Sequence, residues 1–401
     1  MRARTIRDLD PADLDGRRAL VRVDFNVPMD EDGTVRDSNR IEASVPTLKY
    51  LLEHGARPVL LSHLGRPKGK VVPRYSLAPV APILSDLLGT PVHFLPETDT
   101  DAAVSATETL EPGSVLLLEN TRFLPGETKN DPDLSRRLAR LGDLFVNDAF
   151  GSTHRAHASV VGVAELLDPA VAGLLVESEL EAFAQLRNPR SRPFVVAFGG
   201  AKISDKIPLI EAFLERADAV LVGGAMANTF LKAEGHDMGG SLVEEDAIEV
   251  AEEFLRRPEH RLSLPSDLVV AEANAPDATL SEIVRADRVP SDRAAFDIGP
   301  RTRETFEHAI QQSRTFFWNG PMGLFERPGF DSGTVAVARA AAEATAEGAF
   351  TVVGGGDSAS AIRQAGLAGA VSHVSTGGGA ALEYLAHGAL PGLEALDKAG
   401  K

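Results

Sequence analysis

The chain has 401 residues, 43% of them hydrophobic, with a formal net charge of −17. That length calls for two domains, or three, because a single core rarely grows so large. It has no cysteine, which excludes disulfides, thiolate chemistry and cysteine metal sites. The acidic balance argues against general nucleic-acid affinity.

Residues 1–8 carry positive charge with no apolar segment behind them, so no signal peptide is expected. No run approaches the length of a membrane span. The expected setting is the cytoplasm, with neither membrane nor nucleic acid as a partner.

Short apolar runs alternate with helical patterns, which predicts parallel sheets with crossover helices. In the first half the runs lie near 18–25, 58–62, 114–118 and 143–147, with helices at 41–54 and 76–89. Apolar positions at helical spacing over 176–187, stopped by Asn188 and Pro189, predict a helix joining two α/β domains. Runs then recur near 194–199, 218–222, 267–271, 315–318 and 350–353, with helices at 205–216, 243–255, 331–346 and 358–365.

Glycine and charged residues stand directly after many of these runs. A buried parallel strand reads as an apolar run, and open α/β sheets bind ligands beyond the carboxyl ends of such strands. In the second half, Gly199, Gly200, Ala201 and Lys202 end one run, and Lys206 follows where a helix begins. Ser204 is the expected N-cap, and Pro208 fits only a first turn. Two ammonium groups at a helix start repel unless an anion lies between them, although a lone lysine pair is commonly no more than solvated surface. Gly354, Gly355, Gly356, Asp357 and Ser358 repeat the pattern, with Ser358 as the expected cap. Asp357 is a hard oxygen donor suited to Mg²⁺ beside a phosphate. Ser375 to Gly379 form a third glycine-to-helix junction, and three such junctions exceed what plain turns require. Glu326, beyond the Trp318 run, could accept ribose hydroxyls, and Gly299 marks a loop edge where a base could lie.

In the first half the strand-end residues are Asp24, Asn26, His63, Arg66, Arg122 and the His154, Arg155, His157 group, with Arg40 just before a helix. Arginine suits bidentate recognition of phosphate or carboxylate. A scattered arginine is ordinarily surface, but several together call for a multiply charged partner. The histidines have no cysteine or third ligand at zinc spacing. The division suggests a small phosphorylated anion on one half, Mg²⁺-nucleotide on the other, and phosphoryl transfer across a closing cleft.

Taken in order, several motifs resemble phosphoglycerate kinases. They are Asp24-Phe-Asn-Val-Pro28, Ser62-His-Leu-Gly-Arg-Pro67, Glu119-Asn-Thr-Arg-Phe123, Asn147-Asp-Ala-Phe-Gly151, His154-Arg-Ala-His157, Gly199-Gly-Ala-Lys202, Asn319-Gly-Pro-Met-Gly-Leu-Phe-Glu326 and Gly354-Gly-Gly-Asp357. The resemblance runs from about residue 5 to residue 396. It implies two similar Rossmann-like α/β domains, each a parallel sheet flanked by helices. The first spans 1–175 and binds 3-phosphoglycerate, with 377–401 packing back on it; 176–188 is the interdomain helix, and 189–376 binds nucleotide. It implies a hinge-bending monomer that transfers a phosphoryl group between 1,3-bisphosphoglycerate and ADP, with Mg²⁺ accompanying the nucleotide.

By the same resemblance, Asp24, Asn26, Arg40, His63, Leu64, Gly65, Arg66, Arg122 and Arg155 bind phosphoglycerate. Arg40 and Lys202 meet the transferring phosphoryl group. Lys202, Lys206, Gly299, Glu326, Gly355, Gly356, Asp357 and Ser358 bind nucleotide, with Asp357 on the metal. Ala225 stands where the family usually has a third glycine, which bears on base preference. Ala158, in place of a common serine, and Ser38 and Asn39 before Arg40 are further departures. A non-catalytic binding protein on the same fold is the alternative; it predicts loss of Lys202, Arg40 or Asp357, and all three are present. A dinucleotide dehydrogenase is disfavoured, because neither glycine-rich segment has Gly-x-Gly-x-x-Gly spacing.

Overall fold

The apolar runs become strands because both faces of each are covered. In the computed structural model, which describes residues 3–257 and 261–398, the chain forms two units. One runs to Glu181 and resumes at His387; the other spans Ala182–Ala386.

In the first unit, β1 (Arg18–Arg22), β2 (Arg57–Leu61), β3 (Val92–Leu95), β4 (Val115–Leu118), β5 (Leu144–Asn147) and β6 (Ala170–Ala172) pair in the order β3-β4-β2-β1-β5-β6. All pairings are parallel. Every residue of β4 and β5 is buried. Val21 lies opposite Leu60 on one side and Val146 on the other. The helix Asn39–Glu53 lays Ile41, Leu48 and Leu51 into the same core. The chain leaves β1 for β2 on one side and later returns to β5 on the other. That reversal opens a crevice beyond their carboxyl ends.

The helix Leu174–Arg187 begins in the first unit and ends in the second. The final helix, Pro391–Lys398, packs on β6 and on the helical segment Ala158–Gly162. There Gly392 N–H donates to the Thr153 carbonyl at 2.8 Å. The preceding helix, Gly379–His387, stays almost wholly in the second unit, so residues 377–386 lie there and not with the first. Tyr384 packs on Phe183 and under the Arg187 guanidinium.

The strands of the second unit are β7 (Phe194–Phe198), β8 (Ala219–Val222), β9 (Leu262–Ser263), β10 (Asp267–Ala271), β11 (Glu282–Arg285), β12 (Ala294–Ile298), β13 (Thr315–Asn319), β14 (Phe350–Gly354) and β15 (His373–Val374). Six of them make a parallel sheet in the order β15-β14-β13-β7-β8-β9. Its core holds Val195, Ala197, Phe316, Trp318 and Val353, covered by Val337 and Ala341 of the alanine-rich helix Ser332–Ala346. The 267–271 run departs from the parallel pattern. β10 pairs antiparallel with β11 and β12 in a separate three-stranded sheet. A strand buried along its whole length, as β10 is, reads as parallel whichever way its neighbours run. Among the described residues, no helix is long and apolar enough to cross a membrane.

Candidate active site

In the first unit the functional side chains emerge from the carboxyl ends of β1, β2, β4 and β5. Asp24, just past β1, accepts a short hydrogen bond from the Arg40 guanidinium at the start of the helix Asn39–Glu53. Burial pushes the Asp24 carboxyl up, but Arg40, His63, Arg22 and the Asn26 N–H together outweigh it and hold it below the usual range. Asn26 bonds in two directions: its N–H donates to Asp24 at 3.2 Å, and its Oδ1 accepts from Gly65 N–H at 2.9 Å. This ties the β1 loop to the β2 loop. Gly65 has φ +63°, and a Cβ there would strike the Tyr75 ring at 2.4 Å, so the position requires glycine. Leu64 is buried and Arg66 is exposed.

Arg122 donates to the Gly65 carbonyl at 2.7 Å. Its Nε is buried with no hydrogen-bond partner among the described residues. Burial, then the charges of Arg22 and Arg155, pull its pKa down to about 10. Arg155 is exposed, and its Nε donates to His154 Nε2 at 3.0 Å. Burial and the surrounding arginines pull His157 down to about 3. Behind these groups, the wholly buried Arg22 donates to Ser159 Oγ at 3.0 Å. Glu127, equally buried, accepts from Ser159 N–H at 3.0 Å and from the Ser159 hydroxyl. Arg22, Arg40, Arg122 and Arg155 thus outnumber Asp24 and Glu127, an uncompensated positive edge suited to an anion.

The second unit carries a cavity of about 560 Å³. Its walls include Leu242, Val243, Leu268, Phe296, Ile298 and Met322, which make it largely apolar; Asp297, Glu326 and Asp357 also border it. Ala225 lines it too, so the methyl that departs from the family's glycine faces the space. At the crevice between β7 and β13, Lys206 Nζ donates to the carbonyls of Gly199 at 2.6 Å and Asn319 at 3.2 Å. Burial lowers its pKa to about 8, against the opposing charges of Asp357 and Asp205. Asp357 is exposed in the first turn of the helix Gly356–Gln364, and Gly356 is exposed beside it. Gly355 has φ +90°, and a Cβ there would lie 2.7 Å from Asn319 Nδ2.

Two expected caps differ. Ser358 does not cap its helix, which starts two residues earlier, at Gly356. It is buried, and its hydroxyl accepts from Gly320 N–H at 2.5 Å. Ser204 caps nothing either. The helix Ile207–Leu214 follows a short 3-10 turn, Ser204–Lys206, with Pro208 in its first turn as expected. The free N–H groups of Ile203 and Ser204 are taken by a carboxylate from a distant loop, Glu244. Lys202 is exposed beside them. Gly299 is not on the cavity wall; its N–H donates to the Asp267 carbonyl at 2.9 Å, and its neighbours Asp297 and Ile298 line the space.

The sequence profile of the phosphoglycerate kinase family matches residues 6–387. The chain belongs to the phosphoglycerate kinase family. It is 53% identical over 405 residues to the phosphoglycerate kinase of Chloroflexus aggregans, covering 100% of each chain. To that of Thermus thermophilus it is 55% identical over 398 residues, 98% of this chain and 100% of the other. The structure of phosphoglycerate kinase from Coxiella burnetii matches with a TM-score of 0.87 at 39% identity, covering 100% of both chains. That from Pyrococcus horikoshii matches at 0.86 and 33%, covering 99% of both.

For a phosphoglycerate kinase, the apolar cavity walls were the part without a sequence signal. Leu242, Phe296 and Met322 are ordinary hydrophobic residues in separate segments, and only folding brings them together. Glu244 was equally hidden: the helix expected over 243–255 begins only at Ile248, after a short 3-10 turn at Glu245–Ala247, and leaves Glu244 in a loop that carries no mark of the helix start it serves.

Proposed function

We propose that the first unit is the 3-phosphoglycerate-binding domain of this phosphoglycerate kinase, and the second its nucleotide-binding domain. Together they transfer a phosphoryl group reversibly between 1,3-bisphosphoglycerate and ADP, giving 3-phosphoglycerate and ATP. The observation that carries the assignment is the buried, unpartnered Nε of Arg122 within an excess of arginine. A buried donor without an acceptor is costly, and a bound anion would satisfy it. Arg66, Arg122 and Arg155 then bind the phosphoglycerate's charged groups together with Arg40, while His63, Asp24 and Asn26 offer a neutral donor and acceptors to its polar groups. Leu64 and Gly65 shape the loop they share.

In the second unit the base enters the apolar cavity and Glu326 accepts ribose hydroxyls. Gly355, Gly356 and Lys206 bracket the phosphates, with Ser358 holding the Gly320 turn and Gly299 backing the wall. The donor set at Asp357 suits Mg²⁺. It is a single exposed carboxylate beside Lys206, and no group of three or more His, Asp or Glu that could hold a metal occurs among the described residues. A Mg²⁺ ion held mainly by nucleotide phosphates and water needs no more than that. When bound, the metal supplies charge neutralisation on the phosphates. Arg40 and Lys202 stabilise the charge on the transferring PO₃ group, a step that needs positioning and positive charge more than covalent protein chemistry. No residue forms a covalent intermediate.

We place the enzyme in the cytoplasm as a monomer, a setting with which the lack of cysteine agrees. The test is a coupled assay of ATP-dependent phosphorylation of 3-phosphoglycerate by the full chain. Turnover that requires both 3-phosphoglycerate and Mg²⁺ supports the reading. Nucleotide binding without turnover overturns it.

A further inference from the structure

Glu244 joins two stretches that border the nucleotide cavity. On its own side, Gly240 to Val243 and Glu245 line the cavity; on the other side Gly200 and Ala201 do so, just before Lys202. Its main chain is anchored, because Glu244 N–H donates at 3.0 Å to Oγ1 of Thr229, a buried residue on the helix Gly224–Ala233. Its carboxylate reaches across to the other stretch. Oε2 accepts from Ile203 N–H at 2.7 Å and Ser204 N–H at 3.2 Å, and Oε1 accepts from the Ser204 hydroxyl. Burial pushes this carboxyl up. The Ser204 hydroxyl and N–H, the Ile203 N–H and the charge of Lys202 outweigh that and hold it below the usual range. The group is therefore an anion at neutral pH, seated beside Lys202.

We propose that Glu244 is a positioning residue for Lys202, stapling the Lys202 turn to the cavity wall and balancing its charge until a phosphoryl oxygen takes over. This rests on the role given to Lys202 above. The N–H groups of Ile203 and Ser204 are those that a helix start offers to a phosphate. With Glu244 on them they are withdrawn from competition. Lys202, exposed and with no hydrogen bond or ion pair among the described residues, is left as the cation of that turn. Charge-assisted hydrogen bonds to a carboxylate are among the stronger ones, so the staple restricts the turn more than a hydroxyl cap would. Restricting the turn matters because a misplaced catalytic cation loses most of its effect on rate.

The experiment is a double-mutant cycle in the full chain, with Glu244→Ala, Lys202→Ala and the pair, reading kcat and both KM values. We expect Glu244→Ala to lower kcat about tenfold while changing the KM for MgATP less than about threefold. In the Lys202→Ala background the same change should slow turnover no further. Multiplying losses in the double variant, or an unchanged kcat in Glu244→Ala, would overturn the proposal while leaving the function intact. Wild-type kcat in Lys202→Ala would instead remove the role of Lys202, and this inference with it. Glu244→Gln keeps the side-chain size and one carbonyl acceptor but loses the charge. It carries the same test if Glu244→Ala fails to fold, and should fall between parent and alanine variant in kcat.

Discussion

The Arg22 guanidinium lies 2.9 Å from His63 Nδ1, the two groups being buried together. Arginine offers only donors, so Nδ1 must accept and the ring proton sits on Nε2. Burial, and then the charge of Arg22, push the His63 pKa well below its ordinary value, with Asp24 opposing. His63 can therefore donate to an anion without itself being charged.

Nitrogen-15 spectra of the histidine rings check this directly. The His63 signals should show the neutral Nε2–H tautomer at pH 7, with protonation setting in well below the range of an ordinary histidine. Imidazolium shifts appearing near pH 6 would contradict the assigned bond.

Arg155→Ala separates the two binding roles. Arg155 is exposed and makes one side-chain hydrogen bond, to its neighbour His154, so its removal should leave the fold intact. The KM for 3-phosphoglycerate should rise by about tenfold or more, the loss of one charge-assisted contact. The KM for MgATP should move less than about twofold. Equal rises in both constants would contradict the assignment of the arginine edge to the phosphoglycerate.

Much of this division was legible in the sequence, for a physical reason. Strands covered on both faces must be apolar, so β1, β2, β4, β5, β7 and β13 stood out as runs, and ligand-facing residues had to follow them. Asp24, His63, Arg122 and Lys206 were visible on that account. β3 was not, because Val92–Leu95 is only partly buried and carries a histidine. The antiparallel β10 could not be told from a parallel strand by its residues. Long-range polar pairings left no trace, since the side-chain acceptors for Arg22 and for the helix start at Ile203 lie 41 residues or more away in sequence.

Lys206 links nucleotide binding to protons. Its amine, lowered to about 8 by burial, is charged below that pH and neutral above it. Phosphates placed beside it favour the charged form and raise the value again. Binding of ADP near pH 8 should therefore take up as much as about half a proton. Calorimetric titrations in buffers of different ionisation enthalpy would read this uptake. It should vanish by pH 6.5, where the amine is already charged, and be missing in Lys206→Met. Uptake that persists unchanged in that variant would point to another group.

Asp148 ties stability to pH in the opposite sense from most carboxylates. It is buried past the end of β5, and Oδ1 accepts from Leu175 N–H at 3.0 Å at the start of the helix Leu174–Arg187. Oδ2 has no partner. Burial raises its pKa to about 7, although the Thr47 hydroxyl and the N–H groups of Leu175 and Val176 pull the other way. The folded chain thus keeps this proton up to about pH 7, whereas the unfolded chain releases it near 4. Between those values unfolding releases a proton, so this group's contribution to stability declines as pH rises, and above pH 7 the full penalty remains. Asparagine keeps the acceptor for Leu175 and cannot ionise. Asp148→Asn should match the parent in urea unfolding at pH 4.5 and exceed it at pH 8, by up to about 4 kcal/mol. A variant less stable than the parent at pH 8 would mean that the native carboxylate is ionised and stabilising there.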